Sequence, residues 1–409
     1  MLMKNFIVLG WLFALPLCAA ETPVFNIRDF GAVGDGKTLD TDAIQKAVEA
    51  AAAGGGGRVL VPAGKFLTGP FTLASGVDFH LDRGAVLLIS DDMANYPIRK
   101  NRYVDAIIAT NAHDVSLTGE GVIDGQGEAW WKAFRANPEM THRPYLIRFS
   151  DCRRVTVENV TLQNSPMFHL VPQNCTDVTI RHVTIHAPAD APNTDGIDPS
   201  GWNFHISDCT IDTGDDNIAI KPTDGRTPGD KNFLITDCRF FHGHGMSIGG
   251  GTFNGVEDVT VSHCSFDGTD SGIRLKTLRG RGGLARNLVY ENLTMNNVKN
   301  PIYIIDYYPE RTAPKDPATE KPEPVTDRTP INRHIIIRNL TATNCPTAGT
   351  IRGLPEMPIE DVTLTNVHLS AEKGLTIIRA RGVRFENCSI QAARGPKVIS
   401  YDAEISGLK

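Results

Sequence analysis

Six ionisable residues stand in four short segments of the chain, each about one sequence repeat from the next. They are three carboxylates, one imidazole and two permanent cations: Asp195 in NTDGID, Asp215 and Asp216 in TGDDN, His244 in GHG, and Arg274 and Lys276 in GIRLK. Carboxylates held close together repel one another, which raises the pKa of at least one and leaves an acid beside an ionised base. That pairing is what hydrolysis of a glycosidic bond requires. The two cations suit a sugar that carries its own carboxylate.

A repeat in the sequence explains how these segments could meet. A polar residue followed by an apolar anchor recurs in ENVTL, RHVTI, SDCTI, TDCRF, SHCSF, ENLTM, RNLTA, TNVHL and ENCSI. The anchors are Val160, Val183, Cys209, Cys238, Cys264, Leu293, Leu340, Val367 and Cys388, and their steps are 23, 26, 29, 26, 29, 47, 27 and 21 residues. This period is typical of a solenoid, in which equivalent positions stack.

The repeat unit predicts strands rather than helices. A second apolar run begins about eight residues after most anchors, as in NIAIKP and MSIGG, so each turn holds at least two short strands. We therefore predict an all-β fold, a right-handed parallel β-helix. Asp215 and His244 both lie six residues after their anchors, and Arg274 and Lys276 are two apart on one strand. All four are expected on one exposed line of the solenoid.

The two ends of the pattern differ from its middle. Residues 1–20 carry Lys4, an apolar stretch and a small-residue cleavage site, which predicts a secretory signal peptide, with lipid attachment at Cys18 as the alternative. Residues 21–409 are expected to form one catalytic domain. A helix from Asp40 to about Ala53 is expected to cap the first coil. The long step before Leu340 predicts a loop insertion from Tyr308 to Arg333.

The net charge limits the classes of binding partner, and the positions of the cysteines indicate their redox state. The formal net charge is −6, so the chain has no broad basic face for nucleic acid, and no segment is long and apolar enough to span a membrane. Cysteines alternate with Val and Leu at the anchors, which indicates mostly buried free thiols rather than disulfides. GAVGDGKT fits the phosphate-loop formula, but the predicted helix starts too late for a nucleotide site. We expect an exported monomer, periplasmic or secreted.

At these residues the chain resembles the polygalacturonases of glycoside hydrolase family 28. The resemblance rests on VFNIRDFGAVGDGKTLDTDAIQKAV, GEGVIDGQGEAWW, NSPMFH, NTDGID, GDDNIAIK, GHG and RLK, in this order. It implies inverting hydrolysis of α-1,4-galacturonosyl bonds in pectin, with no metal or cofactor. Asp215 is implied as the general acid, Asp195 and Asp216 as the groups that position water, and His244 as the residue that tunes their protonation.

The same resemblance implies the substrate contacts. Arg274 and Lys276 would bind the galacturonate carboxylate, and Tyr308 matches a family tyrosine, although Tyr307 is adjacent and the register could slip. His169 in NSPMFH is a candidate for the lining of the sugar channel, with a structural role as the alternative.

Two other classes of function stay open at this point. A β-helical pectate lyase would hold calcium on its clustered aspartates and leave an ultraviolet-absorbing unsaturated product. A non-catalytic polysaccharide-binding β-helix would release no reducing ends. Internal versus end-acting cleavage depends on loops whose placement the sequence does not give, and the sequence does not determine tolerance of methyl esters.

Overall fold

A computed structural model describes residues 22–140, 142–225 and 229–408 of the chain. The predicted signal peptide lies outside these residues. The described part winds into a parallel β-helix, so the predicted fold class is confirmed. Each coil offers up to three strand positions, which form three faces of the solenoid.

The first face precedes the sequence anchors, and its strands pair in parallel from coil to coil. In the earlier coils, each strand ends at a corner of the solenoid. The first-face strands of these coils are Val24–Asn26, Gly57–Val61, Val77–Leu81, His113–Gly119, Arg153–Glu158, Cys175–Arg181, Gly201–Ser207, Asp230–Thr236 and Val256–Ser262. The second face follows the anchors. Its strands are Asp35–Leu39, Gly64–Thr68, Ala85–Ile89, Val122–Asp124, Thr161–Gln163, Thr184–His186, Thr210–Thr213, Arg239–His242 and Ser265–Asp267.

The third face holds the ionisable residues singled out in the sequence, because the segments that contain them lie where its strands begin. Its strands are Phe71–Thr72, Ile107–Thr110, Ile147–Ser150, Leu170–Gln173, Ile218–Ile220, Met246–Gly249, Ser271–Lys276 and Asn300–Ile305. In the later coils strands run on around the corners, as Leu284–Asn296, Ile331–Arg352, Ile359–Glu386 and Ser389–Ser406. One antiparallel hairpin, Ile98–Arg99 with Arg102–Tyr103, stands apart from the three faces.

The polar residue before each anchor has a backbone role. Asn292, Asn339, Asn366 and Asn387 all have φ near +55°, the left-handed region that asparagine tolerates better than most residues. Their side chains form a ladder from coil to coil, with amide contacts of 2.9, 3.1 and 2.7 Å. The recurring sequence pattern therefore marks the corner between the first and second faces.

The core lies inside the coils and is built from stacked equivalent side chains. Phe204 and Phe233 stack at 4.8 Å between ring centroids, and Phe240 packs on Phe266 at the same separation. The described cysteines, Cys152, Cys175, Cys209, Cys238, Cys264, Cys345 and Cys388, are all free, and all but Cys388 are buried. The expectation of buried thiols is confirmed for this part of the chain.

Two helices lie outside the coils. Helix α1, Thr41–Ala53, buries Ile44 and Val48 over the first coil, as predicted. Asp40 does not cap it through its side chain; its carboxylate accepts hydrogen bonds from the backbone N–H groups of Val33 and Gly34 instead. Helix α2, Glu128–Ala136, was not predicted. No helix in the described ranges has the length and hydropathy to cross a bilayer.

Short 3-10 turns complete the connections, at Ile27–Phe30, Met93–Asn95, Glu310–Thr312 and Pro317–Thr319. The last two lie in the predicted insertion, which has no strand of its own between Ile305 and Ile331. The insertion is a long loop that leaves the third face and returns to the first.

Candidate active site

Stacking of the third face brings all six predicted ionisable residues together. Backbone hydrogen bonds join their turns across coils: Gly196 N–H donates to the carbonyl of Asp216, and His244 N–H donates to the carbonyl of Asp215. The equal offsets of Asp215 and His244 from their anchors therefore do correspond to adjacent positions. Arg274 then lies beside Ser247 on the next strand.

Asp216 is the most strongly held carboxylate of the cluster. One oxygen accepts from Arg274 Nη1 at 2.7 Å and from Ser247 Oγ at 2.8 Å, and the other accepts from Lys276 Nζ at 2.6 Å. Burial alone would raise the pKa of Asp216, but the charges of Lys276 and Arg274 hold it well below its usual range. Asp216 is therefore an anion throughout the physiological range.

Asp215 is the more accessible neighbour, with 23% of its side chain exposed against 2% for Asp216. Its Oδ1 lies 3.0 Å from Nδ1 of His244. Burial lowers the pKa of His244, but the hydrogen bond with Asp215 and the carboxylate of Asp216, 3.7 Å from Nδ1, outweigh burial and raise that pKa to about 9. The same hydrogen bond lowers the pKa of Asp215 despite burial. At neutral pH the proton of this pair resides on the imidazole.

Asp195 belongs to a second charge group that the sequence interpretation missed. Lys221 Nζ donates to Oδ2 of Asp195 and, at 2.7 Å, to Oδ2 of Asp198. Burial raises the pKa of both carboxyls, that of Asp198 to about 6. The expected raised pKa is thus present, but burial is a larger cause than repulsion. One ammonium faces two buried carboxylates, so this group takes up a proton readily in mild acid.

Lys221 and Asp198 stood in the motifs GDDNIAIK and NTDGID, yet nothing local marked them. Lys221 follows a strand, where an exposed lysine is ordinary, and Asp198 follows an apolar residue in a turn. Both lie at third-face strand ends on adjacent coils, which the register of Ile197 with Ile218 joins. Asp198 lies one residue after Ile197 and Lys221 three residues after Ile218, so the two do not occupy equivalent positions and matching of offsets does not pair them.

The structure separates the two tyrosines. The Tyr308 ring lies over the cations, with 5.7 Å from its centroid to Arg274 Cζ and 5.1 Å to Lys276 Nζ. Tyr307 is buried and points the other way, donating its hydroxyl to Glu320 at 2.6 Å. Tyr308 is therefore the tyrosine at the site.

His169 lies beneath the site rather than on its surface. Its side chain has no exposed area. Nδ1 lies 3.0 Å from the carbonyl oxygen of Asp195, and Nε2 accepts from the backbone N–H of Ser165. Burial lowers the pKa of His169 to about 4. The expectation that His169 lines the sugar channel is corrected to a buried support for the backbone of Asp195.

The donor atoms of Asp215, Asp216 and His244 all lie within 4.8 Å of one another, a spacing that a metal ion could bridge. Their chemistry does not suit one. Both oxygens of Asp216 already accept from cationic side chains, and Nδ1 of His244 bears the proton that bonds Asp215. Calcium needs six to eight oxygen ligands. A protonated imidazole, a guanidinium and an ammonium occupy the space where those ligands would stand.

Comparison with known proteins places this chain in a family. The family model for glycosyl hydrolases family 28 matches residues 54–390. The chain is a member of that family. A probable polygalacturonase of Vitis vinifera is 35% identical over 379 residues, covering 85% of this chain and 74% of the relative.

This family 28 glycosyl hydrolase also has bacterial relatives. An endo-polygalacturonase of Pectobacterium carotovorum is 35% identical over 296 residues, covering 66% of this chain and 73% of the relative. The crystal structure of an exopolygalacturonase from Thermotoga maritima superimposes with a TM-score of 0.78 at 27% identity, over 92% of this chain and 93% of that one. The family 28 chain is therefore a glycoside hydrolase, and its charged cluster lies on the fold that these relatives share.

Proposed function

We propose that this hydrolase is a polygalacturonase that cleaves α-1,4 bonds between galacturonate units of pectin with inversion. The observation that carries the proposal is the division of the cluster into two charge groups. Asp215 shares a proton with His244 at 3.0 Å, while Asp195 lies against the ammonium of Lys221. One carboxyl has a proton source, and the other has a cation that favours its ionised form.

In this mechanism Asp215 delivers the proton. His244 holds it in the resting site, and substrate that covers the pair removes water and raises the pKa of Asp215, so the proton moves to that carboxyl. Asp215 protonates the glycosidic oxygen as the bond from that oxygen to the anomeric carbon breaks. Water attacks the opposite face of this carbon, and Asp195 accepts the proton that the water loses. Asp216, a fixed anion, orients the water.

The cations select an acidic sugar. Arg274 and Lys276 bring two positive charges to the single negative charge of Asp216, which leaves one for a substrate carboxylate. Both side chains are more than 90% buried, so little water competes for that charge. The Tyr308 ring over both cations gives the sugar an apolar surface to pack against.

Product chemistry tests the proposal against the two alternatives. Incubation with polygalacturonate should release reducing ends with no gain in ultraviolet absorbance, and a chelator should leave the rate unchanged. Unsaturated products or loss of activity with chelator would support the lyase instead. Binding with no new reducing ends would support a non-catalytic polysaccharide-binding protein, a function that does not require the proton-sharing pair. Sizes of the first products distinguish internal from end-acting cleavage.

The proposal extends to where the enzyme works. The leader-like composition of residues 1–20 supports export to the periplasm or the medium, where pectin fragments would be met. A net charge of −6 does not favour nucleic acid as a partner, and we take the working unit to be a monomer. Fractionation of cells that express the full chain, followed by size-exclusion chromatography, tests these points.

A further inference from the structure

The line of stacked positions that includes Asp195 and Asp216 continues onto the coils that precede Asp195. Register pairs Ile147 with Leu170, Leu170 with Ile197, and Ile197 with Ile218. The residues two positions before these therefore stack in one line: Tyr145, Phe168, Asp195 and Asp216. Neighbouring coils are about 4.8 Å apart, so Tyr145 lies roughly 10 Å along the solenoid axis from Asp195. A sugar chain laid along this axis passes over Phe168 and Tyr145.

The aromatic part of this line is built as a platform. Tyr145 and Phe168 are stacked, with centroids 4.9 Å apart and planes within 8°. Both rings keep partial exposure. Lys221, which also holds Asp195, lies 4.1 Å from the Phe168 centroid. Aromatic faces with a cation alongside give a surface on which an anionic sugar ring can pack.

Positive charge gathers around the far end of the platform. Arg148 lies 5.9 Å from the Tyr145 ring centroid and keeps 29% of its side chain exposed. Arg102, on the hairpin, is exposed and donates to Nδ1 of His142 at 2.6 Å. His142 packs edge-on against Tyr145. Burial and the charges of Arg102, Arg148 and Arg143 lower the pKa of His142 to about 4, so it is neutral where the arginines are charged.

This positive charge is only partly balanced. Asp105 accepts from Arg148 Nη1 at 3.3 Å and from the backbone N–H of Tyr145. The Arg148 guanidinium also donates to the neutral side chains of Gln173 and Ser150. Two guanidinium groups thus face one carboxylate, and burial raises the pKa of that carboxylate. A local cation excess remains in a chain whose net charge is negative.

We propose that Arg102, Arg148 and Tyr145 form an additional subsite that binds the carboxylate and ring of a uronic acid unit two coils before Asp195. The proposal rests on the proposed function, since the occupant is a distal unit of the same galacturonate chain. Arginine binds a carboxylate in two-point fashion, and the Tyr145 ring supports the sugar. The site would strengthen binding of long chains and leave the bond-breaking step unchanged.

Kinetics against oligogalacturonates of increasing length test the subsite. In wild type, kcat/KM should rise in a step once the oligomer is long enough to reach Tyr145. Arg102→Gln and Arg148→Gln should each remove most of that step, on the order of tenfold in KM for long oligomers, with kcat and the rates on the shortest substrates unchanged. Arg83→Gln, with the same charge change on a side chain 83% exposed at a distant corner, should behave as wild type.

The outcomes separate the two claims. Equal losses at every length, or none at any length, would overturn the subsite while leaving the hydrolase intact. A wild-type enzyme that cleaves no oligogalacturonate would overturn both. If Arg148→Gln lowers the melting temperature because Asp105 loses its partner, Arg102→Gln still tests the subsite, since Arg102 is exposed and its hydrogen bond is to His142.

Discussion

Asp215 and Asp216 are neighbours in sequence, but their surroundings give them different chemistry. Asp216 is nearly inaccessible and hydrogen-bonded to two cationic side chains, which lower its pKa so far that it does not take up a proton near neutral pH. Asp215 is partly open and faces a group that titrates. A general acid must both reach its substrate and change its protonation state. Asp215 meets both requirements and Asp216 meets neither.

The first prediction concerns Asp215→Asn, which keeps the side-chain shape and removes the transferable proton. We expect kcat on polygalacturonate to fall by about 10² to 10⁴, with an unchanged circular dichroism spectrum. Asp212→Asn is the matched control, because Asp212 is a partly exposed carboxylate on the second face that accepts from His242 at 2.7 Å. Near-normal turnover in Asp215→Asn would remove the acid assignment.

The second prediction concerns the pH dependence of the proposed base. Asp195 must be ionised to take a proton from water, and burial together with the negative charge of Asp198 raises its pKa. Asp198→Asn removes that repulsion and leaves Lys221 to Asp195 alone, so the pKa of Asp195 should fall. The acid limb of the kcat profile should therefore move to lower pH.

A matched buried carboxyl controls for general effects of charge removal. Asp230 lies on the first face, away from the site, and burial raises its pKa to about 7. Asp230→Asn keeps its acceptor for the Gly201 N–H and should leave the acid limb in place. An acid limb that stays fixed in Asp198→Asn, or moves to higher pH, would contradict the coupling of Asp198 to the base.

At the scale of elements, the insertion supports Tyr308, the tyrosine proposed to contact the substrate. Glu320 in this loop accepts from Tyr307 at 2.6 Å and from Arg279 at 3.1 Å, and it also pairs with Arg379. These contacts hold the loop on the third face beyond the site. Because Tyr307 precedes Tyr308 in the chain, they also fix the ring that covers Arg274 and Lys276.

The third prediction therefore concerns Glu320→Gln. The amide cannot balance the two arginines, so the loop should loosen and Tyr308 should lose its position. We expect KM for polygalacturonate to rise severalfold with little change in kcat, as for a residue that positions a binding group. Glu323→Gln is the control in the same loop, because the Glu323 side chain is 60% exposed and its carboxylate lies 3.5 Å from Arg279. Equal KM values in the two variants would contradict this role.

The sequence predicted the positions of residues that repeat from coil to coil, and it did not predict elements that occur once. Anchor offsets placed Asp215 beside His244 because each coil copies the one before it. Helix α2 escaped prediction because it is a single nine-residue excursion, begins at Gly127 without a side-chain cap, and buries Trp130 against Tyr96 and Tyr103 from separate segments. The Lys221 group escaped because Asp198 and Lys221 lie at different offsets from the paired residues Ile197 and Ile218. His169 was wrongly placed on the channel surface because its motif indicates that it lies near the site but not whether its side chain is buried.

At the scale of the whole molecule, the solenoid explains why so many charges can be held in one place. Each coil contacts only its neighbours, so stability is the sum of local stacking terms. Asp195, Asp198 and Asp216 are buried beside cationic side chains. In the core of the coils that carry Asp216 and His244, Phe204 stacks on Phe233. The candidate active site lies in the middle of the stack, where every coil has neighbours on both sides.

The fourth prediction follows from this one-dimensional order and concerns amide hydrogen exchange. The last described coil, Ser389–Ser406, has a single neighbouring coil and a mostly exposed strand, whereas the first, Val24–Asn26, contacts α1 and keeps Val24 exposed. Strand amides of Ser389–Ser406 should exchange fastest, on the order of tenfold or more faster than those of Asp230–Thr236. Val24–Asn26 should be better protected than the uncovered end, because α1 packs against that coil. Uniform protection along the stack would mean that the β-helix opens as one cooperative unit, and the local-stacking account would be wrong.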